Sequence, residues 1–212
     1  MPFVVAIDGL AASGKGTIAR GLARHLRFKH LDTGLIYRAV AANAVQRGGG
    51  KCFDHDAIEI AKNFSAELLL LRNLRSSEAG KLASKIAKNG EIRQHLMSFQ
   101  REFSKTEPGV VMDGRDIGTV ICPNAEVKIF VTAAISVRAE RRFQELKETE
   151  QSISKKKIQQ DLLARDRLDI NRKISPLKLS EDAHLIDTTE LSIEASVAKA
   201  ICLVNEKKRI MD

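Results

Sequence analysis

Residues Gly9 to Thr17 read G-L-A-A-S-G-K-G-T and begin one residue after the apolar run from Phe3 to Ile7. From Ile18 onward, apolar residues recur every four positions, as on one face of a helix. A short strand, a glycine-rich loop and a helix together are typical of a phosphate-binding loop. The backbone N–H groups of such a loop point into one concavity, and the start of the helix adds positive potential. Lys15 would then reach the terminal phosphates of a nucleoside triphosphate.

The end of this loop departs from the usual pattern of lysine followed directly by serine or threonine. Gly16 separates Lys15 from Thr17, which displaces the hydroxyl by one residue. Thr17 could therefore ligate Mg²⁺ or contact a phosphate. A second candidate is the acidic residue Asp113, which ends an apolar strand where such enzymes hold Mg²⁺ or its waters. Asp-Gly is also a common turn sequence. The metal-binding residues stay unassigned.

Composition limits the classes of protein that the chain can form. Its 212 residues are 43% hydrophobic, enough for one α/β domain with a sizeable core. The net charge of +8 and the pI of about 9.5 suit nucleic acid, two polyphosphate substrates or a basic surface. Only 4% of the residues are aromatic, so a platform for stacking bases is not expected. The phosphate site and the basic surface are therefore favoured over nucleic acid.

Cysteines and hydropathy bear on location. The three cysteines are far apart and form no C-x-x-C pair, which argues against a zinc site and fits a reducing compartment. No signal peptide is recognised, and no run approaches the ~20 apolar residues of a membrane span. We therefore expect a cytoplasmic protein without a membrane partner.

Strand and helix patterns alternate along the chain, which predicts a parallel sheet with helices on both faces. Four predicted strand ends carry polar residues: Gly9 to Thr17, Asp32-Thr33, Asp113 to Asp116, and Asp187. Ligands of open parallel sheets bind beyond the carboxyl ends of the strands. We expect these four segments to converge on one cleft.

Local signals predict where several helices begin. Asp54 is expected to cap a helix through Asn63, Ser136 a helix to about Glu148, and Ser192 the C-terminal helix. The apolar stretch from Glu67 to Leu71 suits either a strand or part of a buried helix.

Arginines gather in the segments that could face the cleft. They are Arg38, Arg115, Arg165, Arg167 and Arg172. Arginine binds phosphate through two parallel hydrogen bonds and stays charged, so such a group could overcome the repulsion between two phosphorylated substrates. No Ser-His-Asp or paired-carboxylate arrangement is present. A phosphate acceptor needs no general base, so positioning and charge stabilisation suffice.

Four motifs resemble those of the bacterial cytidylate kinases in sequence, order and spacing. They are the loop Gly9 to Thr17, L-D-T-G-L-I-Y-R (Leu31 to Arg38), D-G-R-D-I-G-T-V (Asp113 to Val120) and R-D-x-x-D-x-N-R (Arg165 to Arg172). D-T-T-x-L-S-I-E, from Asp187 to Glu194, resembles the family's C-terminal motif. The resemblance implies transfer of the γ-phosphoryl group of ATP to CMP or dCMP, with Mg²⁺.

The same resemblance implies an α/β phosphate-loop kinase made of one domain, 1–212. Its core would comprise 1–33, 107–149 and 174–212, with a small monophosphate-binding part at 34–106. A mobile lid at 150–173 would close over ATP and exclude water.

Site roles follow from the resemblance alone. It implies ATP contacts by Gly9, Leu10, Ala11, Ala12, Ser13, Gly14, Lys15, Gly16 and Thr17. It implies CMP contacts by Thr33, Arg38, Ser84, Arg93, Arg115, Asp116, Arg165, Asp169 and Arg172. Arg38 and Arg115 would grip the CMP phosphate, Asp116, Ser84 and Arg93 would read cytosine, and Arg165 and Asp169 would lie near the ribose, with Thr33 close by. Lys15, Arg115, Arg165 and Arg172 would be catalytic.

The chain departs from the family at three places. Leu10 replaces a proline, Thr33 replaces a serine, and the region from Asp54 to Arg93 lacks much of a β-rich insertion. Two alternatives stay open: a related kinase for UMP, AMP or a sugar-like acid, and an ATP-dependent nucleic-acid-binding protein. We expect a monomer that binds ATP and CMP or dCMP, and no nucleic acid.

Overall fold

The computed structural model describes residues 2–71, 73–148 and 153–211. Within them, five parallel strands form one sheet in the order β2-β3-β1-β4-β5. The strands are β1 (Phe3–Gly9), β2 (Lys29–Asp32), β3 (Gly109–Gly114), β4 (Val127–Thr132) and β5 (His184–Asp187). The prediction of a parallel sheet flanked by helices is confirmed.

The described residues also form eight α-helices that connect the strands and cover the sheet. They are α1 (Lys15–Leu26), α2 (Thr33–Arg47), α3 (Asp54–Lys62), α4 (Ser77–Ile86), α5 (Gly90–Phe103), α6 (Ile135–Leu146), α7 (Lys155–Asn171) and α8 (Ile193–Met211). A 3₁₀ turn (Ala66–Leu70) and a π-helical turn (Ile117–Ile121) complete the fold. No helix in the described part of the chain is long and apolar enough to cross a membrane.

The central strand, β1, is mainly apolar on both faces because helices cover both. Val5 and Ile7 of β1 pack with α1 and α8, whereas Ala6 between them faces α2 and α5. This alternation is what a strand buried on both sides requires. The parallel register pairs Asp8 with Gly114 and Gly9 with Val131, so the polar segments that follow these strands leave the sheet at the same edge.

Several predicted boundaries differ from the structure. Helix α3 begins at Asp54 itself and follows Phe53, and α6 begins at Ile135 after Ala134, so Ser136 lies inside its first turn. The segment from Glu67 to Leu71 is neither a strand nor a buried helix. It forms a 3₁₀ turn without buried residues. Ser192 does cap α8, since its Oγ accepts a hydrogen bond from the N–H of Ala195.

The predicted monophosphate-binding part and lid are both helical. The described residues of 34–106 contain no strand, which agrees with the predicted lack of a β-rich insertion. Of the predicted lid, 150–152 lie outside the described residues, and the remainder is mostly α7. This helix packs on α6 through an apolar cluster that also includes the phosphate loop: Ala11, Ala139, Leu146, Ile158 and Leu162.

Gly9 lies where β1 closely approaches β4, so we expect its substitution to destabilise the fold. Gly9 has a φ of +151°, and a Cβ added there would lie 2.9 Å from the carbonyl carbon of Val131. We expect Gly9→Ala to lower the free energy of unfolding by about 3 kcal/mol or more, because strain and overlap both contribute. Gly49→Ala is the matched control, since Gly49 has a φ of +61° and open space around it. Urea unfolding measures both, and equal losses in the two variants would contradict the close approach.

Candidate active site

A cleft of about 530 Å³ opens at the carboxyl edge of the sheet. This volume is in the range of small-molecule sites. Three of the four predicted strand ends reach it, and the fourth does so through a different residue. Asp187 is exposed and accepts hydrogen bonds from the N–H and hydroxyl of Thr189, while the neighbouring Thr188 lines the cleft. The prediction that Asp187 faces the cleft is therefore wrong.

The floor of the cleft is the loop between β1 and α1. Gly14 directly precedes α1 with a φ of +93°, no side chain caps the helix, and its first turn contains no acidic residue. The first N–H groups of the helix are therefore available to an anion. Lys15 lies beside this end of α1, where its Nζ donates to the carbonyl of Leu10 at 3.4 Å. The geometry is that of a phosphate cradle.

Residues outside the loop hold its backbone in place. The hydroxyl of Thr188 donates to the carbonyl of Ser13 at 2.8 Å, and Arg141 donates to the same carbonyl at 3.4 Å. Arg141 also donates to the carbonyl of Thr188 at 2.8 Å. Thr188 lay next to a predicted strand end, whereas the pairing of Arg141 with a loop so distant in sequence left no local signal.

Cations surround the space above the loop. Burial, then repulsion from Arg115, lowers the pKa of Lys15 to about 7 and that of Arg165 to about 9. Burial and nearby Arg142 lower the pKa of Arg38 to about 10. These shifts arise because burial removes the water that would stabilise each charge, and nearby like charges add to the effect. The arrangement favours a ligand that carries several negative charges.

Carboxylates behind the cations fix their positions. Arg115 donates through Nε to Oδ2 of Asp169 at 2.7 Å, and Nε of Arg165 is 3.9 Å from the same oxygen. Burial opposes the charge on Asp169, but the two arginines outweigh it and keep the pKa of this carboxyl low. Arg38 is held differently, since it donates to the carbonyl of Leu74 at 2.7 Å.

A second part of the cleft is built around Asp116. Arg93 donates to Oδ2 of this carboxylate, and Arg172 donates to Oδ1 at 3.2 Å. Each carboxylate oxygen keeps a further lone pair that can accept another hydrogen bond. Ser84 and Tyr37 line the same region, where the hydroxyl of Ser84 donates to the carbonyl of Gly80 at 3.1 Å. This part offers acceptors to a planar polar ligand.

Asp8 supports the loop that carries Arg115 and Asp116. Its two carboxylate oxygens each accept a backbone N–H at 2.8 Å, from Ile117 and Gly118. Burial raises the pKa of Asp8 to about 6, although these two bonds oppose the shift. Sequence reasoning gave Asp8 no role, because a polar residue near a strand end has many possible partners.

Residues in or just after the neighbouring strands β2 and β3 close the edge of the site. Thr33 is buried, and its hydroxyl donates to the carbonyl of Asp113 at 2.9 Å. Oδ1 of Asp113 is 2.8 Å from Nε2 of His30. Oδ2 of Asp113 lies 3.6 Å from the position that a Cβ of Gly16 would take, so it faces the phosphate loop.

The cleft brings most of the predicted site residues together. Its wall includes Ala11, Ala12, Gly14, Lys15, Gly16, Thr17, Thr33, Arg38, Ser84, Arg115, Asp116, Arg165, Asp169 and Arg172. Four predicted site residues do not line the cleft in the described part of the chain: Gly9, Leu10, Ser13 and Arg93. Arg93 lies behind Asp116, with its guanidinium 5.5 Å from the centre of the Tyr37 ring. It therefore contacts the site through its neighbours.

Known proteins resemble this chain over almost its whole length. The family model described as "Cytidylate kinase" matches residues 5–206. A protein named cytidylate kinase from Bartonella tribocorum is 50% identical over 204 residues, covering 96% of this chain and 95% of the relative. One of the same name from Cereibacter sphaeroides strain KD131 is 51% identical over 201 residues, covering 95% and 94%.

Among solved structures, a gluconokinase from Sinorhizobium meliloti has a TM-score of 0.52 at 12% identity, covering 99% of this chain and 96% of that one. At that identity the likeness concerns the fold alone. The family model and the two named relatives extend over almost the whole chain, including every segment that builds the cleft. The chain belongs to the cytidylate kinase family.

Proposed function

We propose that this chain transfers the γ-phosphoryl group of ATP to CMP or dCMP, giving ADP and CDP or dCDP. The observation that carries the proposal is the convergence of four cations, Lys15, Arg38, Arg115 and Arg165, between the phosphate loop and the pocket of Asp116. A triphosphate on the loop and a monophosphate beside Arg38 and Arg115 would meet between them. Family membership supports the same reaction.

The acceptor oxygen belongs to a phosphate that is already ionised, so no side chain has to remove a proton. What the chain must do is bring two anions together and spread the charge that develops on the transferring group. Lys15 and Arg165 would hold that charge from the loop side and from α7. Arg172, which the resemblance places near the transferring phosphate, donates to Asp116 and would have to turn towards it.

Mg²⁺ fits this site as an ion bound mainly through phosphates. In the described part of the chain, no group of three or more His, Cys, Asp or Glu side chains could enclose a metal ion. Oδ2 of Asp113 faces the loop, and Thr17 lies in the same wall. Asp113 and Thr17 would hold the ion or its waters, and the ion would neutralise charge on the ATP phosphates.

The carboxylate of Asp116 supports cytosine as the base. Cytosine presents an exocyclic amine donor where uracil presents a carbonyl, so an ionised acceptor attracts the first and repels the second. We propose that the chain is a monomer that binds ATP and CMP or dCMP, and that it binds no nucleic acid. The three cysteines are free, which supports the reducing compartment of the cytoplasm.

The first prediction tests the reaction. In a coupled assay of ADP release with MgATP, we expect turnover with CMP and dCMP, little with UMP, and none with AMP, GMP, gluconate, shikimate or a polynucleotide. Lys15→Met should lower kcat by ~10²-fold or more while the protein stays folded, because a charge contact in the transition state is lost. Lys62→Met, at an exposed lysine outside the cleft wall, is the matched control. Turnover that depends on a polynucleotide or on a sugar-like acid would overturn the proposal.

A second prediction concerns base selection. An alanine at position 116 would leave Arg93 and Arg172 buried without a partner and so threaten folding. We therefore choose Asp116→Asn, which keeps the shape. We expect kcat/KM for CMP to fall by ~10²-fold and the CMP-to-UMP ratio to narrow by at least ~10-fold.

The matched control for Asp116 is Asp56→Asn, because Asp56 is a buried acid outside the cleft wall that pairs with His55 at 3.2 Å. This variant should keep the wild-type ratio. If Asp116→Asn also keeps it, Asp116 does not read the base, and selectivity must come from Ser84, Arg93 or the shape of the pocket.

A third prediction follows from the lowered pKa of Lys15. At pH 8 a group with a pKa of about 7 is mostly neutral, and the ATP phosphates favour its charged form. Binding of ATP at pH 8 should therefore take up about one proton, and ATP affinity should fall as the pH rises above about 7. Calorimetry in buffers of different ionisation enthalpy counts the protons. A binding heat that is independent of the buffer would show that Lys15 is already charged.

A further inference from the structure

A buried ion pair lies outside the cleft wall, between α6 and α7. Arg138 and Asp166 are only 4% and 7% exposed, and Nη1 of Arg138 donates to Oδ2 of Asp166 at 2.7 Å. Taking two charges out of water is costly, and an apolar pair of similar volume is often as stable. Stability alone is therefore a weak reason for a pair at this place.

Arg138 joins three separate parts of the fold. Besides Asp166, its Nη1 donates to the carbonyl of Ala11 in the phosphate loop at 3.2 Å. Its Nε donates to the carbonyl of Ala133, just after β4, at 2.9 Å. The planar guanidinium fixes these acceptors relative to one another. A shift of the loop backbone at Ala11 would therefore be felt at Asp166.

Asp166 connects this junction to the other side of the cleft. It follows Arg165 and precedes Asp169 by three residues on the continuous helix α7, and Asp169 holds Arg115. Residues one turn apart on a helix move together. Oδ1 of Asp166 is buried and has no hydrogen-bond partner among the described residues, so Arg138, together with the charge of Arg115, compensates the burial of this carboxylate.

The packing around the pair supports transmission across this junction. Ala11 of the loop belongs to the same apolar cluster as Ala139 of α6 and Ile158 and Leu162 of α7. Packed clusters of this kind deform little, so a displacement at one member shifts the others. The loop and α7 are thus joined by one polar and one apolar contact region.

We infer that Arg138 and Asp166 are positioning residues that couple the phosphate loop to the acceptor side of the cleft. When the loop orders around ATP, the position of Ala11 becomes fixed. The Arg138–Asp166 pair transmits this constraint to α7, which determines the positions of Arg165 and Asp169. The inference rests on the proposed function and adds to it a cooperativity between the two substrates. Because coupling between binding sites is reciprocal, each substrate strengthens the binding of the other.

The test measures the affinity for the acceptor with and without a non-hydrolysable ATP analogue, by calorimetry. In the wild-type protein we expect the analogue to tighten acceptor binding by at least ~5-fold. The informative variant is Arg138→Met with Asp166→Leu, which replaces both charges by apolar groups and leaves none unpaired. Its coupling factor should fall to about 1–2, with a binary affinity for the acceptor within about 2-fold of wild type.

A second variant and a control keep the result interpretable. Asp166→Asn keeps a hydrogen-bond acceptor for Arg138 but removes the charge, so its coupling factor should lie between those of the wild type and the double variant. Lys155→Gln breaks an exposed pair with Glu140 that joins the same two helices, and it should leave coupling unchanged. Thermal unfolding checks that each protein is folded. If the double variant does not fold, Asp166→Asn decides the test.

Wild-type coupling in a folded double variant, or in Asp166→Asn where the double variant does not fold, would overturn the inference, and so would a wild-type protein without coupling. A purely structural role predicts a lower melting temperature with coupling retained. The acceptor used is the one that the substrate panel identifies. Failure of CMP in that panel would therefore contradict the proposed function, whereas absence of coupling with the true acceptor would contradict the role of this pair.

Discussion

Mutual repulsion among buried cations is the constraint on which this structure depends. Two unit charges 4 Å apart at an effective dielectric constant of about 20 repel by ~4 kcal/mol. Lys15, Arg38, Arg115 and Arg165 accept such repulsion in one cleft, where burial first and repulsion second lower the pKa values of Lys15, Arg38 and Arg165. The fold can hold them together because each has a carboxylate or a backbone carbonyl behind it, although Nε of Arg165 makes no hydrogen bond among the described residues. Their open sides then face a space that only anions satisfy.

The acids of the site mostly serve as supports. Asp169 holds Arg115, Asp116 holds Arg93 and Arg172, and Asp8 holds the backbone that carries two of these residues. A cation held this way loses little freedom when a phosphate arrives, which is the meaning of preorganisation in a charged site. The sheet supplies the geometry, since its parallel register brings the ends of β1, β2 and β3 to one edge.

Sequence reasoning succeeded where function depends on local pattern. The phosphate loop needs a strand, glycines at fixed places and a helix, and all of these are contiguous in the chain. The arginine-rich motifs were visible for the same reason. Ser136 failed as a helix cap because α6 begins one residue before it, after Ala134, whose N–H is bound by Thr189, 55 residues away. Asp187 does not face the cleft because its carboxylate accepts hydrogen bonds from the N–H and hydroxyl of Thr189 in the adjoining turn.

The remaining differences come from long-range pairs that no local window contains. The resemblance implies that Arg93 contacts CMP, yet it lies behind Asp116, because Asp116 on the loop after β3 and the ring of Tyr37 hold it there. Asp166 belongs to the motif from Arg165 to Arg172, but Arg138 lies 28 residues earlier and has no pattern that singles it out as the partner. Pairings of this kind are decided by the packing of α6 on α7, which a list of residues does not specify.

Helix α7 also sets a limit on how this sequence can change in evolution. Ile158, Leu162, Asp166 and Asp169 are its buried residues and form one stripe, so a single face both packs on α6 and carries the acids of the site. A deleted or inserted residue between Leu162 and Asp169 would turn the following residues by about 100° around the helix axis. Asp169 would then leave the cleft while the apolar half stayed docked. Relatives that keep the activity should vary freely in side chains on the outer face of this helix, and should show no change of length within it.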